Sequence, residues 1–192
     1  MKPAPCPDAE LQSVVAMSRA DALRGIGQTE TLLAHYADDA RLQFLYGSLL
    51  AGAQRYDEAV TAMTRAIGIE PGFVLARFQL GFLQLTCARP EAATQTWLPL
   101  LLLPEDDPFK LFALGLGHLI RDEFEATIGR LEAGMARNDA HPLVNNDMQL
   151  IVDEVRKLVA RNAGQGEREA AMSETQLLFE RYAVHDTSAY RH

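Results

Sequence analysis

The sequence predicts an all-α chain in which one helical hairpin is used repeatedly. Three observations carry this. Gly47, Gly81 and Gly115 stand 34 residues apart, in "LYGSLLAG", "QLGFLQLT" and "ALGLGHLI". Twelve residues after each glycine comes a small residue (Ala59, Ala93, Thr127), and sixteen after comes a large apolar one (Met63, Trp97, Leu131). Nine after each, Tyr56, Pro90 and Phe124 open a second segment. Agreement of independent columns on one period marks a repeat architecture.

The physical reading is a first helix, a short turn and a second helix. The glycine and the small residue let the two helices approach where they cross, and the large residue fills the gap one turn on. Helices of this length are marginal alone in water. A single hairpin cannot bury its own apolar face, so hairpins stack into a solenoid.

On these residues the chain resembles the tetratricopeptide repeat (TPR) family. The best copy is 40–73, with Tyr46-Gly47, "YDEA" at Tyr56–Ala59, Ala66 and a closing Pro71. Copies at 74–107 and 108–141 are looser, with Pro90 where an aromatic is usual and Thr127 for alanine. The resemblance implies a right-handed superhelical solenoid of antiparallel helix pairs with N- and C-terminal capping helices.

The elements follow in order. Residues 1–9, "MKPAPCPDA", read as a flexible N-terminus. One TPR-like domain spans 10–160, beginning with a degenerate repeat at 10–39. Its first helix is expected in "DAELQSVVAMSRADAL" and its second in "TETLLAHYADDA", with Gly25 and Gly27 at the join. After the three repeats, "HPLVNNDMQLIVDEVRKLVARN" reads as a capping helix over 142–161. Leu143, Met148, Ile151, Val155 and Leu158 mark its apolar face. Residues 162–192 read as a polar linker, a short amphipathic helix and a tail. "SETQLLFERYAV" at 173–184 carries a capping-box pattern, Ser173 then Gln176.

Composition bounds the function. The chain has 192 residues and a net charge of −8, with a pI near 5.1. Such acidity argues against a nucleic-acid partner. Two cysteines, Cys6 and Cys87, make no disulfide framework and fit a reducing cytoplasm. No apolar leader is visible at the start. The most apolar run, "WLPLLLLPEDDP", is shorter than the ~20 apolar residues that span a bilayer.

A second set of columns runs along the first helices. Residues three before, one after and four after each glycine are expected opposite the core, on the concave side. They are Phe44, Ser48 and Ala51, then Phe78, Phe82 and Leu85, then Phe112, Leu116 and Leu119. Leu75 and Phe109 extend the line by a turn. By resemblance to the family, the concave side is the ligand groove. A groove lined by these residues suits an apolar peptide or helix of a protein partner. Tight packing between repeats and covering by the chain's own 173–184 segment are the alternatives. The same positions exclude the two-carboxylate clamp by which some TPR modules hold acidic chaperone tails. The layout is also similar to class II chaperones of type III secretion, which implies a holder of translocator segments as the alternative function.

Chemistry is sparse. There is no GxSxG, phosphate-binding loop, HExxH or CxxC motif. His118 takes a repeat-core position, and the other four histidines have no ligand spacing. In "PEDDP", Asp107 before Pro108 reads as a helix N-cap and first-turn proline. The sequence therefore points to an interaction scaffold that needs no cofactor or metal, with an enzyme as the remote second class. In the leucine run, Trp97, Leu100 and Leu101 continue the core, and Pro99 is expected to bend the helix. Leu98 and Leu102 lie outside core positions and are expected to meet another surface, in a homodimer or a terminal extension.

Overall fold

The computed structural model describes residues 4–164. The expected linker, amphipathic helix and tail beyond lie outside the described residues, apart from the last turn of the capping helix. Over the described residues the chain is an all-α solenoid. Its helices are α1 (Asp8–Ala20), α2 (Ala22–Leu33), α3 (Ala40–Gly52), α4 (Tyr56–Ile69), α5 (Val74–Thr86) and α6 (Pro90–Trp97). A 3₁₀ turn (Leu98–Leu102) follows, then α7 (Pro108–Leu119), α8 (Phe124–Met135) and α9 (Pro142–Gly164). The pairs α3–α4, α5–α6 and α7–α8 are the three repeats, and α1–α2 is the degenerate one.

The period of 34 is kept by the backbone as well as the side chains. First helices begin at residues 40, 74 and 108, and second helices at 56, 90 and 124. The turn inside each of the three repeats has one residue in the left-handed region: Gln54 (φ 61°), Ala88 (φ 56°) and Asp122 (φ 56°). The next amide closes the turn onto a carbonyl five residues back, Arg55 to Leu50 (2.9 Å), Arg89 to Gln84 (2.9 Å) and Glu123 to His118 (3.0 Å). This is the six-to-one bond of a Schellman cap, with a non-glycine in the glycine position.

The seam between paired helices is as the columns require. A Cβ added at Gly47 would lie 2.6 Å from Met63 Cγ, and one at Gly115 2.7 Å from Leu131 Cδ2. At Gly81 it would collide with the indole of Trp97. Ala59, Ala93 and Thr127 are fully buried opposite. Trp97 places its ring over this gap, and its Nε1–H donates to the Phe78 carbonyl at 3.1 Å. The buried indole therefore keeps a polar partner.

Several expectations need correction. The second helix of the degenerate repeat is Ala22–Leu33, which takes in Gly25 and Gly27 and ends before "AHYADDA". Asp21 starts it by accepting the Arg24 amide at 3.1 Å. Gly25 sits where a Cβ would meet Ser18 Cβ at 2.5 Å. The N-terminus is tied down from Cys6 rather than loose through residue 9. The Cys6 amide donates to Asp39 Oδ2 (2.8 Å), Arg41 Nη2 donates to the Cys6 carbonyl (2.7 Å), and Arg41 Nη1 donates to Asp8 (2.6 Å). In α9 it is Val144, not Leu143, that is buried with Met148, Ile151, Val152, Val155 and Leu158. Leu143 is one residue, about 100°, off that stripe.

Candidate functional site

The first helices of the three repeats are α3, α5 and α7. Each is capped where its sequence supplies a carboxylate. Asp39 accepts the Arg41 and Leu42 amides (2.9 and 3.3 Å), and Asp107 accepts those of Phe109 and Lys110 (2.8 and 3.3 Å). Burial disfavours the Asp39 charge. The Arg41 guanidinium and the Cys6 and Leu42 amides outweigh that and hold its carboxyl below the usual range. Lys110 ties the loop before α7 to the helix, donating to the Leu103 carbonyl (2.9 Å) and to Glu105 (2.7 Å).

The phenylalanine column is not on the concave surface. Three before, one after and four after the glycine lie about 60°, 100° and 40° from it, beside the seam rather than opposite. Phe78, Phe82 and Leu85 accordingly share one buried cluster with Phe109, Phe112, Leu116 and Leu119 of the next repeat. That cluster runs on into Val144, Met148 and Ile151 of α9. The Phe78 ring lies 5.7 Å from Phe112, 5.5 Å from Phe109 and 6.2 Å from Trp97. Phe112 packs on α8, where a Cβ at Gly134 would stand 2.5 Å from its ring. Phe44 is half-buried against Phe73, centroids 5.2 Å apart. The column is the face by which each first helix meets the following repeat. Of the nine proposed groove residues, seven are interior, and only Phe44 and Leu75 keep partial exposure.

Residues about 120–160° from each glycine form a further row along the first helices. They are six before, two before and five after it: Arg41, Leu45 and Gly52 on α3, then Leu75, Gln79 and Thr86 on α5, then Phe109, Ala113 and Ile120 at α7 and its end. The strip changes from mixed at α3 to wholly apolar at α7.

The leucine run breaks where Pro99 stands. Helix α6 ends at Trp97 and the chain tightens into the 3₁₀ turn. Leu100 is core, but Leu101 is at the surface (36% exposed), beside Leu98 (46%) and Leu102 (88%). His118, half-buried, lies against Glu123, and Arg121 and His118 hold the Glu123 carboxyl down to about 2. Among the described residues no group of His, Cys, Asp or Glu is arranged to hold a metal. No described helix is long and apolar enough to cross a membrane.

No protein-family model matches the sequence, and no curated protein matches it. Solved structures do resemble it. MamA (41-end) from Desulfovibrio magneticus RS-1 and the RS-1 MamA ArsTM double mutant each superpose with a TM-score of 0.56 at 16% identity. The alignments cover 93% of this chain and 98% of each of those chains. At that identity the likeness concerns the fold, a TPR-like helical solenoid.

Proposed function

We propose that the protein is an interaction scaffold that holds an apolar helical segment of a protein partner against the inner side of α5 and α7. One observation carries the reading. Helix α7 is apolar nearly all round, and a helix of that kind is buried all round. Three of its sides are taken by α8, by the preceding repeat and by the cluster it shares with α9. On the remaining side Ile120, and Leu75 on α5, are half-buried at the edge of that cluster, and this edge is read as the groove. This geometry suits helix-in-groove recognition. If the partner is an exported translocator, the scaffold is a secretion chaperone.

The test is co-purification from the native host with wild type, Leu75→Glu, Ile120→Glu and, on the outer face of α4, Thr64→Glu. Leu75 and Ile120 are half-buried against the core cluster and Thr64 is exposed, so circular dichroism of each variant serves as the fold control. The reading expects a partner that Thr64→Glu retains and both inner variants lose. A partner retained by all three contradicts it.

A further inference from the structure

A 3₁₀ helix has three residues per turn, so its side chains fall in three rows with i and i+3 eclipsed. In the turn Leu98–Leu102 one row is interior: Leu100 is core, and Leu103 after it packs on the same cluster. The second row is Leu98 and Leu101, and the third is Pro99 and Leu102. All four of these residues are exposed. The three leucines belong to none of the core clusters among the described residues.

The repeat does not require this apolar surface. Thirty-four residues before and after Leu98 stand Thr64 and Glu132, and Leu102 corresponds to Gly68 and Ala136. All four are exposed, as Leu98 and Leu102 are. The partners of Leu101, Ile67 and Met135, are half-buried and pack on the core clusters. The middle copy alone places leucine on the outside at these positions. A contiguous exposed apolar patch of this kind marks an interaction surface.

Charge selects the occupant. Residues 90–109 contain no Lys, Arg or His, and four acids. Asp107 is spent on capping α7. Glu91, exposed, stands two helical turns before Leu98 on the same face of α6. Glu105 and Asp106, also exposed, stand just beyond the leucines. The cations beside this stretch are engaged: Arg89 on Asp57 (2.7 Å), and the buried Lys110 on Glu105 and the Leu103 carbonyl. Arg77, half-buried, is turned to the Pro71 and Thr96 carbonyls. A second copy would set acidic rim against acidic rim, in a chain of net charge −8. An anionic membrane surface would be repelled in the same way. We propose that this outer face of the middle repeat is a second docking site, which takes an amphipathic helix of a protein partner with apolar residues in its middle and Lys or Arg at both ends. The face from Glu91 to Leu102 spans about 20 Å, the rise of a helix of about 14 residues. The site stands apart from the groove proposed above and does not depend on it.

The probe is a labelled helical peptide of that length with a leucine stripe and lysines at both ends, and a twin with glutamates at the ends. Fluorescence anisotropy follows its binding to the full chain, with circular dichroism as the fold control. The proposal expects the lysine peptide to bind wild type. Binding should be at least tenfold weaker to Leu98→Gln/Leu102→Gln and to Glu91→Lys/Asp106→Lys, all four side chains being exposed. The glutamate twin should bind wild type at least tenfold more weakly than the lysine peptide. Should the double leucine variant lose helicity, Leu102→Gln alone, at a side chain 88% exposed, is expected to weaken binding at least threefold. No binding of the lysine peptide, equal binding by wild type and variants, or a preference for the glutamate twin overturns the proposal. So does a dimer in sedimentation that Leu98→Gln/Leu102→Gln dissolves, because the occupant would then be a second copy.

Discussion

The first and middle repeats obey one period and reach different ends. In the first, α4 runs fourteen residues, Tyr56–Ile69, and stays helical past its core. In the middle, α6 runs eight residues before Pro99 turns the chain into a 3₁₀ segment. Yet Ala66 and Leu100, 34 apart, are both buried. The register is therefore held by the seam, through Gly47 with Met63 and Gly81 with Trp97, and not by continuity of the second helix. Freed from helical pitch, the middle copy turns Leu98, Leu101 and Leu102 outward.

The sharpest way to break this comparison is at the large seam residue. Trp97→Ala should cost about 3–5 kcal/mol, since it removes an indole that touches Phe78 and fills the Gly81 gap. Met63→Ala should cost about 2–4 kcal/mol, because the thioether fills a smaller space. Urea unfolding measures both. An equal or larger loss at Met63 would mean that the middle seam does not carry the register.

Next in size are the glycines. Gly81→Ala drives a methyl into a rigid ring and should cost about 2–3 kcal/mol. At Gly47 the side-chain neighbour is the flexible Met63, so Gly47→Ala should cost about 1–2 kcal/mol. The same unfolding curves decide the order.

A third difference lies at the helix starts. Helix α3 has the Asp39 cap, while α5 follows Phe73 with no side-chain cap. The folded carboxyl of Asp39 titrates below its unfolded value. Its contribution, about 1–2 kcal/mol, is therefore complete above the ordinary Asp range. It is lost as pH falls through that range to the depressed folded value. Asp39→Asn should be less stable than wild type at neutral pH, with the gap closing in acid. A gap that widens in acid has the wrong sign.

The smallest effect is at the turns. Ala88 and Gln54 hold left-handed backbone that glycine adopts freely. Ala88→Gly relieves that strain while loosening the unfolded chain, for a net gain of up to about 1 kcal/mol. A fall in melting temperature would count against the turn geometry.

The sequence showed what repeats and hid what does not. Glycine, small and large columns located every paired helix of the three repeats, because close crossing admits few residue types. The Asp107 cap was legible for the same reason. Helix α2 was missed because Gly25 looks like a break until Ser18 is seen against it. The Cys6 clasp joins residues 33 and 35 apart in sequence, and no local pattern announces it. Apolar residues ring α7 on every side, so hydrophobicity alone could not say that Phe109 and Phe112 are interior. Leu75 and Phe109 were placed in the phenylalanine row, but Phe109 is buried in the shared cluster and Leu75 packs at its edge.

The most direct test is a pair of melts followed by circular dichroism, Phe78→Glu against Leu75→Glu. The structure places Phe78 inside the cluster between repeats and Leu75, half-buried, at the edge of that cluster. It predicts that Phe78→Glu loses cooperative melting, through a buried unpaired charge, while Leu75→Glu keeps its helicity and melts within a few degrees of wild type. A Phe78→Glu chain that melts like wild type would put that ring on an open face and contradict the account.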